Sequence, residues 1–316
     1  MVQTVFTGLL GQATAVDLLN QAIRQARIAP AYLFAGPSGV GRRLAALRFA
    51  ECLLQDDHAH LSAALRRRIE ARNHPDLLWV EPTYLHKGKP VTVAEAVELD
   101  LKRKSPPQIR LEQIREIARF LSRPTLEAQR AVVVLEGAET MAESPANGLL
   151  KTLEEPGAAT LILLAEDSAR LLPTIISRCQ TIPFRRLSQE TMTVILQQTG
   201  HTSILQRPDI LAMAQGSPGQ AIAAWEQLNT IPEEIIAAVS NPPTNLRAAL
   251  DLARQVSKEM DIESQLWLVD YLQQVTWEQQ RSADPLQALE QARRHLRRFV
   301  QPRLVWEVTL MQFVQS

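Results

Sequence analysis

Apolar residues at Val16, Leu19 and Ile23 recur at helical spacing across residues 15–26 and predict an amphipathic helix. A short apolar run, Ala31-Tyr32-Leu33-Phe34-Ala35, then leads into Gly36-Pro37-Ser38-Gly39-Val40-Gly41. This reads as a buried strand ending in a glycine loop, with a second helix over 44–54. Further apolar runs at 77–80, 131–135, 160–165 and 180–184 predict strands. Runs without alternation, such as Ala-Val-Val-Val-Leu, suit a parallel sheet covered on both faces. Helices are predicted between them, from the stripe Leu111, Ile114, Ile117 and Leu121 and over 147–155, where Pro156-Gly157 stops the chain. The pattern is that of a doubly wound α/β domain.

Past Arg185 the strand patterns end. Residues 188–226 read as short helices around a break at Gly216-Ser217-Pro218-Gly219. From about 232 onward only helical patterns remain, punctuated by Pro242-Pro243, Pro285 and Pro302, with stripes at Leu246, Leu250, Ala253 and Val256 and at Leu266, Val269, Leu272 and Val275. The predicted division is an α/β domain over 1–185, a small helical domain over 186–228 and a helical C-terminal domain over 229–316. Residues 85–108 read as an exposed, partly ordered insertion.

Composition narrows the function classes. The 316 residues carry 34 Lys+Arg against 34 Asp+Glu, so there is no whole-chain electrostatic argument for a nucleic-acid binder. The basic runs Arg66-Arg67-Arg68, Lys102-Arg103-Lys104 and Arg293 to Arg303 read as solvated or salt-bridged surfaces, and Trp267, Trp277 and Trp306 as packing residues on helical stripes. Two cysteines, Cys52 and Cys179, make neither a disulfide framework nor a four-cysteine zinc site. No apolar run reaches the roughly 20 residues of a membrane span, and the first residues lack the basic start of a secretory signal. The expectation is a cytoplasmic multidomain protein with no membrane contact.

Strand, glycine loop and helix in that order are the context a phosphate-binding loop requires. The pattern G-x-x-x-x-G-K-[ST] is met by Gly36 and Gly41, but Arg42 and Arg43 follow. The lysine of an active loop places a compact charge on the β- and γ-phosphates, and the hydroxyl holds Mg²⁺. Arg42 keeps the charge and not the shape. Arg43 has no acceptor oxygen for a metal. The strand 131–135 ends in Glu136-Gly137, where an active enzyme has Asp-Glu: Glu136 carries its carboxylate one methylene too far out, and Gly137 offers none to activate water. A missing general base costs about 10²–10⁴ in rate. The predicted site binds no functional nucleotide or metal cofactor.

Asn147-Gly148-Leu149-Leu150-Lys151-Thr152-Leu153-Glu154-Glu155-Pro156, with Ser177-Arg178-Cys179, resembles the clamp-loader branch of the AAA+ family, where a helix reading NALLKTLEEP and a later Ser-Arg-Cys follow the Walker B strand. Gly11-Gln12 and His74-Pro75-Asp76 match as well. The resemblance implies an AAA+-like P-loop domain with a parallel sheet, then a small helical lid domain and an all-helical collar. Within the branch, the Arg42-Arg43 and Glu136-Gly137 substitutions and the glycine at 219 resemble the non-hydrolysing δ′ type of bacterial DNA polymerase III rather than γ/τ; so does a chain with nothing beyond the collar. That type implies a hetero-pentameric ring with δ and γ/τ partners, loading the β sliding clamp on primed DNA. The family's four-cysteine zinc module has no counterpart over 51–72, which holds Cys52, His58 and His60; a Cys52/His58/His60/His74 site is set against surface histidines on a plain helix, and no zinc is predicted.

By the same resemblance Arg178 enters the nucleotide pocket of an adjacent γ/τ subunit as an arginine finger. The other reading of Arg178 is structural, capping the Ile175-Ile176 segment or pairing with a carboxylate. Two other functions stay open: an active ATPase in which Arg42 replaces the lysine, and a freestanding DNA-binding replication or repair factor.

Overall fold

The computed structural model describes residues 5–55, 62–99, 101, 106–240, 245–279, 283–298 and 300–315. His58, His60, Lys102-Arg103-Lys104 and Pro242-Pro243 lie outside them. The chain forms two compact units, Met1–Thr191 and Met192–Ser316.

The first unit runs α1 (Ala13–Arg24), β1 (Ala31–Ala35), α2 (Arg42–Leu53), α3 (Ala63–Glu70), β2 (Leu77–Val80), β3 (Thr83–His86), β4 (Lys89–Thr92), α4 (Val93–Glu98), α5 (Leu111–Leu121), β5 (Ala131–Leu135), α6 (Glu143–Glu154), β6 (Ala159–Ala165), α7 (Pro173–Ile176) and β7 (Gln180–Pro183). Five strands make a parallel sheet in the order β2-β5-β6-β1-β7. Successive side chains of a strand point to opposite faces, so each apolar run feeds two cores at once. Tyr32, Phe34, Val132, Val134, Ile162 and Leu164 pack with Leu19, Phe49 and Ile69 on one face. Leu33, Val133, Leu135, Leu161 and Leu163 pack with Ile114, Ile117, Leu149 and Leu153 on the other. This is the AAA+-like sheet with helices on both sides, and it explains why the strands show no polar alternation.

Two regions depart from the sequence reading. An antiparallel hairpin, β3–β4, starts at Thr83 and runs into the insertion over 85–108, turned by Lys87 and Gly88 at φ 48° and 79°, the positive values a tight hairpin turn requires. Only Val91 of β4 is buried, so hydrophobic spacing could not reveal it. In the run 66–68 only Arg67 is simply exposed: Arg66 Nε donates to both oxygens of the buried Glu51, joining α3 to α2, and Arg68 makes a surface two-pronged pair with Glu127 at 2.7 and 2.9 Å.

The second unit is helical: α8 (Gln189–Gln198) begins at its boundary, followed by α9 (Pro208–Ala214), α10 (Pro218–Thr230), α11 (Glu233–Ser240), α12 (Leu246–Glu259), α13 (Ile262–Gln279), α14 (Ala283–Arg297) and α15 (Pro302–Gln315). Its centre is Trp306, fully buried, whose indole N–H donates to Gln265 Oε1 at 2.9 Å while Gln265 donates to Met260 O. The inward stripe of α12 is Ala249, Leu252, Ala253 and Val256; Leu246 and Leu250 of the expected stripe are exposed, and so is Trp277. Arg293 pairs with Asp270 at 3.3 Å and Arg303 with Glu307 at 2.7 Å, so these members of the basic cluster are salt-bridged. Among the described residues no helix is long and apolar enough to cross a membrane.

Candidate functional site

Strand β1 delivers the chain to the glycine loop at the carboxyl end of the sheet, where ligands bind in open α/β folds. Gly36, at a φ of 151°, stands where the loop passes the residue after β7: a Cβ there would clash with Phe184 O. Gly41, at φ 107°, is the left-handed residue from which α2 starts, and Gly39 is also at positive φ. The loop is held from below by Gln12, buried, which donates to Val40 O (3.1 Å) and Arg185 O (2.7 Å) and accepts from Arg185 N–H. The Gly11-Gln12 signature is therefore a brace between loop and strand end.

Arg42 opens α2 with its side chain only 11% exposed, and its nearest counter-ion is Glu166 at 3.7 Å. Burial pushes its pKa below the ordinary guanidinium value, against the pull of Glu166, Glu139 and Glu136. Arg43 reaches across to β5: its Nε lies 3.3 Å from Glu136 Oε1. That same oxygen accepts a 2.6 Å hydrogen bond from Trp79 Nε1 on β2 and has Arg72 Nη2 at 3.9 Å. Both guanidinium groups lie over the Trp79 ring, 5.7 and 5.3 Å from its centre. Arg72 holds this position from a left-handed backbone at φ 55°, an uncommon conformation for a residue with a Cβ. The two loop arginines thus have separate counter-ions, Glu166 for Arg42 and Glu136 for Arg43, while Arg72 pairs with Glu81 at 2.9 Å as well as lying near Glu136.

Gly137 contributes more than a missing carboxylate. It is left-handed at φ 59°, and a Cβ there would lie 2.6 Å from Pro82 Cγ. The backbone at this point has no room for a glutamate.

Sequence reasoning missed Trp79, Arg72 and Glu166. Glu166 was detectable in principle: it is a charge placed directly after the buried strand β6, at the sheet end where the loop lies. Trp79 and Arg72 carry no such signal, because only the pairing of β2 with β5 sets them beside Glu136.

The His74-Pro75-Asp76 segment proves to be an anchor. The Asp76 carboxylate accepts from the backbone N–H groups of Leu126, Glu127 and Ala128, each at 2.8 Å, and its own N–H donates to His74 Nδ1. Burial alone would raise the Asp76 pKa, but these donors outweigh it and hold the carboxyl below its ordinary value. Burial, followed by Arg68, lowers that of His74. Cys52 is buried and its thiol is pushed up to about 12 by burial. Among the described residues no group of three or more His, Cys, Asp or Glu side chains is placed to hold a metal ion.

Arg178 stands away from this cluster. It precedes β7, the edge strand, whose Gln180 lies level with Tyr32 of the parallel strand β1. The glycine loop leaves the other end of β1, about 13 Å further along at roughly 3.3 Å per residue. The Arg178 side chain is 37% exposed, pairs with Glu154 Oε1 at 2.8 Å through Nη2, and donates to Thr174 O at 3.1 Å through Nη1.

The family model described as "DNA polymerase III, delta subunit" matches residues 11–188, and one described as "Cyanobacterial DNA polymerase III delta prime, C-terminal domain" matches 190–313. The DNA polymerase III subunit delta' of Bacillus subtilis is 35% identical over 185 residues, covering 57% of this chain and 50% of that protein. That of Pseudomonas aeruginosa is 32% identical over 210 residues, covering 64% and 57%. The chain thus spans about half the length of these curated relatives. Among solved structures, a DNA polymerase III gamma subunit-related protein of Thermotoga maritima superposes with a TM-score of 0.55 at 16% identity, over 94% of this chain and 98% of that one, a likeness of fold. With one model spanning more than half of its residues and the second most of the remainder, the chain belongs to the DNA polymerase III delta-subunit family, in its delta prime branch.

Proposed function

We propose that this chain is a non-hydrolysing clamp-loader subunit of DNA polymerase III. In this reading it is a fixed member of a ring with δ and γ/τ subunits. The ring uses ATP to open the β sliding clamp and close it on primed DNA. Residues 186–228 serve as the lid and 229–316 as the collar that seals the ring. Zinc, nucleotide and magnesium have no part in this chain's own contribution.

Two features support inactivity of its own pocket. Where Mg²⁺ bridges loop hydroxyl and carboxylate in an active enzyme, Arg43 and Glu136 neutralise one another directly. Where the general base belongs, Gly137 is pressed against Pro82.

The observation that carries the reading is the position of Arg178. It lies at the amino end of an edge strand, while its own glycine loop lies at the carboxyl end of the neighbouring strand. A phosphate that Arg178 serves therefore belongs to another subunit. A guanidinium supplies permanent charge and a planar fork suited to phosphate oxygens. An arginine finger is worth about 10³–10⁵ in rate at the site it enters.

The test reconstitutes the assembly from this chain, γ/τ and δ, and measures clamp- and DNA-stimulated ATP turnover with Arg178 or R178A. Silencing of one γ/τ site is expected. Unchanged turnover in a fully assembled R178A complex would remove the finger, and Mg²⁺-dependent turnover by this chain alone would remove the non-hydrolysing role.

A further inference from the structure

Arg178 has a fixed backbone and a long side chain, and the two set different requirements. On one side its N–H donates to Ile175 O and that of Cys179 to Ile176 O, closing the short helix α7; on the other, β7 is paired to β1. Cys179 packs against the core on the Leu149 face of the sheet. The Cα of Arg178 therefore cannot wander. Its side chain is free unless something holds it, and a freely rotating arginine must be ordered each time it meets a phosphate, which weakens the encounter.

Two acceptors hold it. Thr174 O is a carbonyl of the one-turn helix α7, and Glu154 is the last residue of α6. A carboxylate at a helix carboxyl terminus is disfavoured by the helix dipole unless a cation joins it, so Glu154 and the end of α6 together form a negative seat for the guanidinium. Each acceptor engages one terminal nitrogen, Nη1 or Nη2, and leaves the other N–H donors of the group open. Both partners are exposed, at 37% and 53%. An ion pair of that kind adds little to the stability of the fold; its consequence is directional.

We infer that Glu154 is the positioning residue of Arg178, holding the guanidinium in one place between the end of α6 and α7 so that it meets a neighbouring subunit's phosphate already oriented. The inference rests on the trans role proposed above. Glu154 is not a catalytic residue in this scheme, since it touches Arg178 and no reacting atom.

The test uses the reconstituted assembly with γ/τ and δ, and reads kcat and KM for ATP in E154A, E154D, R178A and the double variant E154A/R178A. Gel filtration and thermal unfolding of each variant check that the assembly and the fold are intact. E154A is expected to lower kcat about two- to five-fold, the scale of one exposed ion pair, with KM unchanged. E154D, which keeps the charge on a shorter arm, is expected to recover at least part of that loss. In the R178A background, loss of Glu154 is expected to change nothing, the non-additivity of two groups that act as a unit. An E154A assembly as fast as the parent or faster, with R178A still impaired, would overturn the positioning role alone and leave the finger standing. A further drop from R178A to the double variant would also overturn it, since Glu154 would then act through something else. An R178A assembly indistinguishable from the parent would bring down both.

Discussion

Arg43 Nε lies 3.3 Å from Glu136 Oε1, so the second residue after Gly41 is paired with the residue that directly follows β5. Trp79 joins them, donating to the same oxygen at 2.6 Å while Arg43 and Arg72 lie over its ring. Arg43 and Glu136 thus neutralise one another without a ligand, and Arg72 has Glu81 at 2.9 Å as its own counter-ion.

This pairing makes Glu136 the more costly member to lose. E136A leaves the Trp79 N–H without its acceptor and Arg43 without its counter-ion, while Arg72 keeps Glu81 at 2.9 Å, and it is expected to destabilise the first unit by about 1–3 kcal/mol. R43A, whose side chain is 57% exposed, is expected to cost under ~1 kcal/mol. Urea unfolding followed by tryptophan fluorescence measures both; an R43A loss equal to that of E136A would contradict the arrangement.

Restoring a carboxylate beside Glu136 is not expected to restore catalysis. G137E places a Cβ against Pro82 at a positive φ and is expected to cost about 1–3 kcal/mol of strain. Thermal unfolding should report the loss, and ATP turnover by the isolated chain should remain at background.

Acid should weaken the first unit in two stages. His74 has a lowered pKa in the folded state, so the unfolded chain takes up a proton first as the pH falls below about 6.5, and stability declines from there. Asp76 also has a lowered pKa; its contribution is complete above about pH 3.9 and is lost as the pH falls through the folded value. H74Q should remove the first stage and D76N the second, with D76N costing about 1–3 kcal/mol at neutral pH through imperfectly paired backbone donors. Unfolding free energies measured from pH 7 to pH 3 check the order.

In the second unit, Q265A strands the indole N–H of the fully buried Trp306. A loss of about 1–3 kcal/mol is expected, against about 3–5 kcal/mol for W306A, which also opens a cavity. Comparable losses for the two would mean that the hydrogen bond, rather than the ring's packing, organises this core.

The sheet was legible in the sequence because its strands are buried on both faces: Val132-Val133-Val134-Leu135 and Leu161 to Leu164 show continuous apolar runs. The helical ends were shifted where a polar or small residue begins the element, as at Arg42 and Glu143. The hairpin β3–β4 was not legible, since one buried valine cannot set a period. Of the stripe expected on α12, Ala253 and Val256 are buried while Leu246 and Leu250 stay exposed, their inward places taken by Ala249 and Leu252; alanine carries too little hydrophobic signal to compete with leucine.

The chain's own residues fixed what chemistry its pocket lacks: no lysine, no hydroxyl beside it and no paired carboxylates, since these depend on side-chain type at adjacent positions. Which groups fill that place could be decided only by the fold. Trp79, Arg72, Glu136 and Glu166 come from different elements, and parallel strand pairing, a long-range outcome of burying two apolar faces, sets them around the loop. The same pairing puts Arg178 at the opposite end of the sheet from Gly41, a separation that no local pattern encodes.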